Sequence, residues 1–236
     1  MVSIIIPCRN GSAYLAEAIA GIQAQNVPVE IVLVDDGSTD DSGRIAAELG
    51  CRVIRKEKSE GQVKAKNDAL KVITGEYVMF HDCDDVMQLG ALARLVAALE
   101  EDASIMAVEA KVEDFVSPEL PPETGRRIKG KDAPYWGLFT GAVLMRTAIW
   151  KIIGEFNPAL HTGEIIEWQG KMDAHALAIR KLDFVACRRR IHQSNFGRTS
   201  QKTEYGDYAS VLRAKLLAAR RAGGIREVGE TGTAKR

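Results

Sequence analysis

The sequence predicts an α/β fold with a mostly parallel central sheet flanked by helices. Three observations predict it. Short apolar runs of strand length recur through the first half. Amphipathic segments of helical period separate them, and turn-forming residues mark the junctions. Strands buried on both faces read as continuous apolar runs, and their alternation with helices implies parallel strands with right-handed crossovers.

Val2 to Pro7 is the first such run. Ser12 offers a cap for a helix whose apolar positions Leu15, Ala18, Ile19 and Ile22 share one face. Glu30 to Val34 is the second strand, and Ser38 and Thr39 offer caps for a short helix through Ile45 and Leu49. Arg52 to Ile54 reads as a third strand. Gln62 to Ile73 reads as a helix with Val63, Leu70 and Ile73 inward, ended by Gly75. Tyr77 to Phe80 is the fourth strand, Leu89 to Leu99 another helix, and Ile105 to Val108 a further strand. The segment Ser117 to Pro134 holds four of the seven prolines and reads as a mobile loop. Beyond it, Tyr135 to Arg146 is apolar around Gly141, Ile165 to Ile179 reads as a helix, and Phe184 to Cys187 as a strand. A last helix spans 202–222, and the glycine-rich end, 223–236, reads as a flexible tail.

The length, 236 residues, suits one decorated domain. Lys plus Arg and Asp plus Glu number 32 each, which argues against nucleic acid as a partner. Cys8, Cys51, Cys83 and Cys187 are widely spaced and read as reduced thiols. No leader precedes the first strand, and no stretch approaches the ~18 apolar residues that span a bilayer. The expectation is a cytoplasmic protein with at most peripheral membrane contact.

Ligands of such sheets gather at the carboxyl ends of the strands, and two acidic clusters fall there. Asp35-Asp36 follows the second strand and Asp82-Cys83-Asp84-Asp85 the fourth. Crowded carboxylates at a sheet edge call for a compensating cation. All-oxygen ligation suits Mn²⁺ or Mg²⁺, which leaves positions open for phosphate oxygens. The competing reading of Asp82 to Asp85 is a solvated turn that caps the next helix. Asp36 suits hydrogen bonding to a nucleoside, or else an Asx-turn with Gly37.

Ser3-Ile-Ile-Ile-Pro-Cys-Arg-Asn10, Val34-Asp-Asp-Gly-Ser-Thr-Asp40, Ala65-Lys-Asn67 and Gly75-Glu-Tyr-Val-Met-Phe-His-Asp-Cys-Asp-Asp85 follow in order. This pattern closely resembles family 2 glycosyltransferases of the Rossmann-like GT-A fold. The match is dense over about the first hundred residues and continues weakly to Asn195. The resemblance implies a single GT-A domain over 1–222. Within it, 1–110 would bind the nucleotide-sugar and 111–200 would form a small acceptor-side extension.

The resemblance also implies roles. Pro7 and Arg9 would line the nucleoside pocket, and Asp36 would contact base or ribose. Lys66 stands where the family usually has arginine and would face the base or diphosphate. Asp82 and Asp84 match the Asp-x-Asp motif, with Asp84 the direct metal ligand and Asp82 touching ribose or a metal-bound water. His192, in Arg190-Ile-His192-Gln-Ser-Asn195, would complete the metal shell or contact the diphosphate. A histidine after a basic run is also an ordinary surface residue, and Arg188, Arg189 and Arg190 could bind phosphate. The family's Gly-Glu-Asp-x-Glu reads Gly163-Glu164-Ile165-Ile166-Glu167 here, so Glu164, or secondarily Glu167, becomes the catalytic base. Trp168, beside Glu167, is the foremost of the three tryptophans as an acceptor-side residue.

The implied reaction is inverting transfer of a sugar from a nucleotide-diphosphate donor, a UDP-sugar by family habit. The acceptor would be a carbohydrate, lipid-linked or protein hydroxyl. The rivals are a nucleotide-sugar-binding protein without turnover, favoured by Ile165, and a sugar-phosphate nucleotidyltransferase. The second would need a glycine- and arginine-rich first loop that Pro7 to Gly11 does not supply.

Overall fold

A computed structural model describes residues 1–121, 123–124, 130–136 and 140–195 together with 206, 207, 209, 211 and 213. Eight strands form one sheet: β1 (Val2–Cys8), β2 (Val29–Asp35), β3 (Arg52–Arg55), β4 (Tyr77–Phe80), β5 (Val86–Met87), β6 (Ala107–Val116), β7 (Val143–Arg146) and β8 (Ile179–Ile191). Their order across the sheet is β3-β2-β1-β4-β7-β6-β8-β5. Strands β1, β2, β3 and β4 pair in parallel. Strand β7 is antiparallel to both β4 and β6, β8 is parallel to β6, and β5 is antiparallel to β8. All strands except β5 and β7 therefore point one way, and the mostly parallel sheet of the sequence reading is present.

The pleat sorts side chains between two apolar layers. Ile4, Ile6, Leu33, Tyr77 and Met79 face one layer, whereas Ile5, Val32, Val34, Val78 and Phe80 face the other. Helices α1 (Leu15–Gln23), α2 (Ser42–Glu48) and α4 (Ala91–Glu100) cover the first through Leu15, Ile19, Ile22, Ala46, Leu92, Leu95 and Leu99. Helices α3 (Gln62–Leu70), α5 (Ile149–Ile153) and α6 (Glu164–Ala174) cover the second through Val63, Ala65, Ala69, Ile149, Trp168 and Met172. No described helix is long and apolar enough to cross a membrane.

The structure corrects several local expectations. The hydroxyls of Ser12, Ser38 and Thr39 cap no helix, and α1 and α2 start at Tyr14 and Asp41 without side-chain caps. Instead these residues lace the loops after β1 and β2. Ser38 Oγ accepts from the Asn10 N–H, the Thr39 N–H donates to Asn10 Oδ1, and the Ser12 N–H donates to Asp40. Helix α3 stops at Leu70, and its buried face is Val63, Ala65, Lys66, Asn67 and Ala69, with Leu70 and Ile73 only half-buried. Gly75 does not close it; Lys71 does.

The helix expected through Ile179 ends at Ala174. The Leu177 N–H returns to the Met172 carbonyl at 2.9 Å, around Ala176 at φ 54°, and the chain turns into β8. Strand β8 is thirteen residues long, not the four expected; the charged residues Arg180, Lys181, Asp183 and Arg188 to Arg190 interrupt its apolar run. Tyr135 to Arg146 resolves into a 3-10 turn at Thr140–Ala142 and β7. Within the expected 117–134 loop, 122 and 125–129 lie outside the described residues, as do Arg198, Lys202 and the 223–236 tail. Of the expected 202–222 helix, 206, 207, 209, 211 and 213 are described and helical.

Candidate active site

The carboxyl ends of β1, β2, β4 and β8 meet at one edge of the sheet. Pro7 is half-buried there and Arg9 is exposed. Asp36 is buried, and its carboxylate organises the loop before α3. Ser59 Oγ donates to it at 2.6 Å, and the Glu60 and Gly61 N–H groups at 2.9 Å each. Lys56 Nζ lies 3.9 Å away and joins Asp36 to Glu60 and Asp68. Gly37, at φ +71°, leaves no room for a side chain against the backbone of Ser59.

The acidic cluster after β4 is shaped by β5, which hydrogen-bonds to β8 with Val86 opposite Arg188 and Met87 opposite Cys187. This pairing lays Asp84 and Asp85 against the last turns of β8. The ligand oxygens of Asp82, Asp84 and Asp85 all lie within 4.8 Å of one another. The three are not equivalent. Asp85 is 5% exposed; it accepts from the Arg190 N–H at 2.9 Å and faces Cys187 Sγ at 3.9 Å. Burial, and then the charges of Asp82 and Asp84, push its carboxyl well above the usual range. The bonds to Arg190 and Cys187 fasten Asp85 to β8.

Asp84 has the opposite character. Its Oδ2 lies 2.8 Å from His192 Nε2 and accepts from Asn195 Nδ2 at 3.3 Å. His192 is oriented by Ser194 Oγ at 2.9 Å from Nδ1 and by Tyr14, whose ring centroid is 4.7 Å from its own. Burial raises the Asp82 carboxyl, with the Asp84 charge adding and the Lys66 ammonium opposing. His81 is fully buried. Its Nδ1 lies 2.8 Å from the Asp82 carbonyl, and burial lowers its pKa and keeps the ring neutral.

Lys66, on α3, forms a buried ion pair with Glu164, the first residue of α6. The pair is close enough to Asp82 for both of its charges to act on that carboxyl. The structure thus brings Asp82, Asp84, His192, Lys66 and Glu164 to one place. It does not bring Glu167. That side chain turns to the 157 corner, where the Asn157 N–H donates to Oε2 at 3.0 Å and Lys171 lies 3.3 Å away. Ile165 packs against the second apolar layer.

Trp168 is buried one helical turn after Glu164, with an indole N–H that has no partner among the described residues. Trp150 packs edge-on to Phe80 and Phe156, and Trp136 lies exposed under Lys111 Nζ at 4.3 Å. Arg188, Arg189 and Arg190 of β8 engage other groups of the fold. Arg188 stacks on Phe115 and Arg189 faces Asp114. Arg190 is 2% exposed between the rings of Tyr14 and Phe115, and donates to the Asp84 carbonyl at 2.9 Å, to Ser117 Oγ at 3.1 Å, and to Glu17. Sequence spacing marks Arg190 as a possible phosphate ligand. Its clamp on the acidic loop depends on the β6–β8 pairing, for which no local signal exists.

The profile of the family described as Glycosyl transferase family 2 matches residues 3–150. Among curated proteins, the chain is 34% identical over 113 residues to "Glycosyltransferase GlyG" of Streptococcus pneumoniae, spanning 45% of this chain and 38% of that protein. Among solved structures, Staphylococcus aureus TarS in complex with UDP-GlcNAc superposes with a TM-score of 0.67 at 25% identity, over 84% of this chain and 60% of that one. Mannosyltransferase PcManGT from Pyrobaculum calidifontis, in complex with GDP-Man and Mn²⁺, superposes with a TM-score of 0.69 at 17% identity, over 92% of this chain and 64% of that one. The last likeness speaks to the fold, which is the GT-A arrangement. With its motifs at the ends of the expected strands and the family profile matched over most of its length, the chain belongs to glycosyl transferase family 2.

Proposed function

We propose that the chain transfers a sugar from a nucleotide-diphosphate donor, a UDP-sugar, to an acceptor hydroxyl with inversion at the anomeric carbon. The observation that carries this reading is the convergence of Asp82, Asp84 and His192 with the buried Lys66–Glu164 pair at the carboxyl edge of the sheet. The TarS complex with UDP-GlcNAc supports the choice of uridine.

The donor set fits a divalent ion of the Mn²⁺ or Mg²⁺ type. Asp84 Oδ2 and His192 Nε2 face each other, and Asp82 adds a second carboxylate oxygen within 4.8 Å. Asp85 instead accepts from the Arg190 N–H of β8. A bound ion supplies neutralisation of the charge that grows on the leaving diphosphate. Pro7 and Arg9 line the nucleoside side, with Asp36 either touching the ribose or holding the 59–61 loop that does.

Glu164 is the base. Its carboxylate takes the acceptor proton while the hydroxyl oxygen attacks the sugar, and Lys66 keeps that carboxylate aimed and charge-compensated. The acceptor is a carbohydrate, lipid-linked or protein hydroxyl, and the reaction takes place in the cytoplasm.

A panel of nucleotide-sugars with Mn²⁺, scored for nucleoside diphosphate release, tests the reading. UDP should appear from one UDP-sugar with the parent chain, and fall by about 10²-fold or more with Glu164→Gln. Donor binding with no release from any sugar, even with candidate acceptors, would sink it.

A further inference from the structure

Cys8 and Cys83 are three residues beyond the last paired positions of two adjacent parallel strands. The β1–β4 register runs Val2 opposite Tyr77 to Ile5 opposite Phe80, and the His81 N–H continues it to the Ile5 carbonyl at 2.9 Å. Carried on, the same register sets Cys8 opposite Cys83, and both side chains belong to the same apolar layer. Neighbouring strands run about 4.8 Å apart, within the Cα separation of about 4.4–6.8 Å that a disulfide spans. The side chains do meet. A methyl group at Gly11 would lie 2.7 Å from Cys83 Sγ and 2.8 Å from Cys8 Sγ, so both sulfurs border the same small space. Gly11 therefore leaves room for the pair. Cys8 is buried and Cys83 half-buried, so Cys83 is the nearer of the two to solvent.

We propose that Cys8 and Cys83 form a thiol–disulfide exchange site that takes a low-molecular-weight disulfide and closes into an intramolecular bridge. The Cys83 sulfur attacks the small disulfide, whose S–S bond breaks, and one small thiolate leaves with the Cys83 proton. The Cys8 sulfur then attacks Cys83 Sγ, and the second small thiolate leaves with the Cys8 proton. Two protein thiols are oxidised by two electrons, and one disulfide is reduced to two thiols. Closing the sulfurs to about 2.05 Å draws the Asp82–Asp84 turn toward β1 and moves Asp84 away from His192. On the metal-dependent reading of that turn, on which this consequence rests, the bridge weakens nucleotide binding.

The test treats the purified chain with oxidised glutathione, maps disulfides by peptide mass, and titrates UDP with Mn²⁺ by calorimetry before and after, with dithiothreitol to reverse. The expected result is a Cys8–Cys83 peptide and a loss of UDP affinity on the order of 10-fold or more, restored by the reductant. Cys8→Ser should keep the affinity of the reduced parent and show a glutathione adduct on Cys83 with no bridge. A parent chain that accumulates only the Cys83 adduct, or bridges with no change in affinity, overturns the proposal. A reduced parent that binds no UDP refutes the metal-dependent nucleotide reading instead, and the peptide map then decides the bridge alone.

Discussion

The Lys66 ammonium and the Glu164 carboxylate, 98 residues apart in sequence, form an ion pair of which 2% and 4% of each residue is exposed. One departure from the family pattern thus touches the residue next to another. Lysine replaces the usual arginine, and isoleucine replaces the usual aspartate directly after Glu164. Removing one member of a buried pair strands the other charge, so Lys66→Met should destabilise the chain by about 3–5 kcal/mol. Replacing both, Lys66→Met with Glu164→Leu, should recover most of that loss. Urea unfolding measures both variants. A double variant as unstable as the single one would show that the pair is not what holds α3 to α6.

Asp84 and Asp85 are neighbours with opposite roles, and neutral isosteres separate them. Asp84→Asn should weaken Mn²⁺ binding in the presence of UDP on the order of 10–100-fold. Asp85 is committed to the Arg190 N–H, a bond the amide oxygen of Asp85→Asn can still accept, so that change should shift the same affinity by no more than about threefold. Manganese titration followed by electron paramagnetic resonance gives both numbers. Equal losses would mean that Asp85 ligates as well.

Much of this arrangement is legible in the sequence, and for a physical reason. Strands buried on both faces announce themselves as apolar runs, which is why β1, β2 and β4, with Pro7, Asp36 and Asp82 to Asp85 at their ends, can be read directly. Strand β8 could not, since six charged residues interrupt its apolar positions, and β5 is two residues long. What those two decide is which acid meets which partner. Asp85 goes to the Arg190 N–H and Asp84 to His192 only because β5 pairs with β8. Likewise, helical spacing puts Glu164 and Glu167 on one face, but the Asn157 turn that takes Glu167 away is a tertiary feature.

Asp40 carries a pH dependence of defined sign. Burial raises its carboxyl, but hydrogen bonds from the Ser42 hydroxyl and from the Ser12 and Ser42 N–H groups outweigh this and hold it at about 2, below its ordinary value of 3.8. A depressed folded pKa stabilises above the unfolded value and loses that contribution as pH falls through the folded one. The stability difference between parent and Asp40→Ala should therefore be flat above 3.8 and shrink between 3.8 and about 2. Unfolding curves across that range check it. A difference that persists below pH 2 would assign the effect to packing rather than charge.

Gly75 follows α3 without a left-handed backbone, and its small size answers to a different neighbour. An added methyl would lie 2.7 Å from the Ser3 N and 3.0 Å from the Met1 carbonyl, both backbone atoms of or beside β1. The Gly75 N–H also donates to Ser3 Oγ at 2.8 Å and to Glu30 at 3.0 Å. Gly75→Ala should cost about 1–3 kcal/mol by forced displacement at the β1–β4 junction. Gly50→Ala, with nothing within 4 Å but φ +80°, separates the two causes, since its cost is backbone strain alone, roughly 1 kcal/mol. Thermal unfolding ranks them, and a Gly75→Ala chain as stable as the parent would refute the close approach.

Arg190 fixes Asp84 through the backbone. Its Nε donates to the Asp84 carbonyl, Nη1 to Ser117 and Nη2 to Glu17, while Tyr14 and Phe115 flank the guanidinium with ring centroids 4.8 and 4.7 Å away. A single ammonium cannot reproduce a planar fork that serves three acceptors at once. Arg190→Lys should therefore lower Mn²⁺ affinity about 10-fold while the fold persists, because the Asp84 carbonyl loses its anchor and the carboxylate its fixed approach to His192. Glu17→Gln removes only the partner nearest to solvent, whose side chain is 60% exposed, and should leave the metal affinity near that of the parent. If Arg190→Lys binds manganese as tightly as the parent, Asp84 is positioned by His192 and Asn195 alone, and the arginine serves only to join β8 to α1.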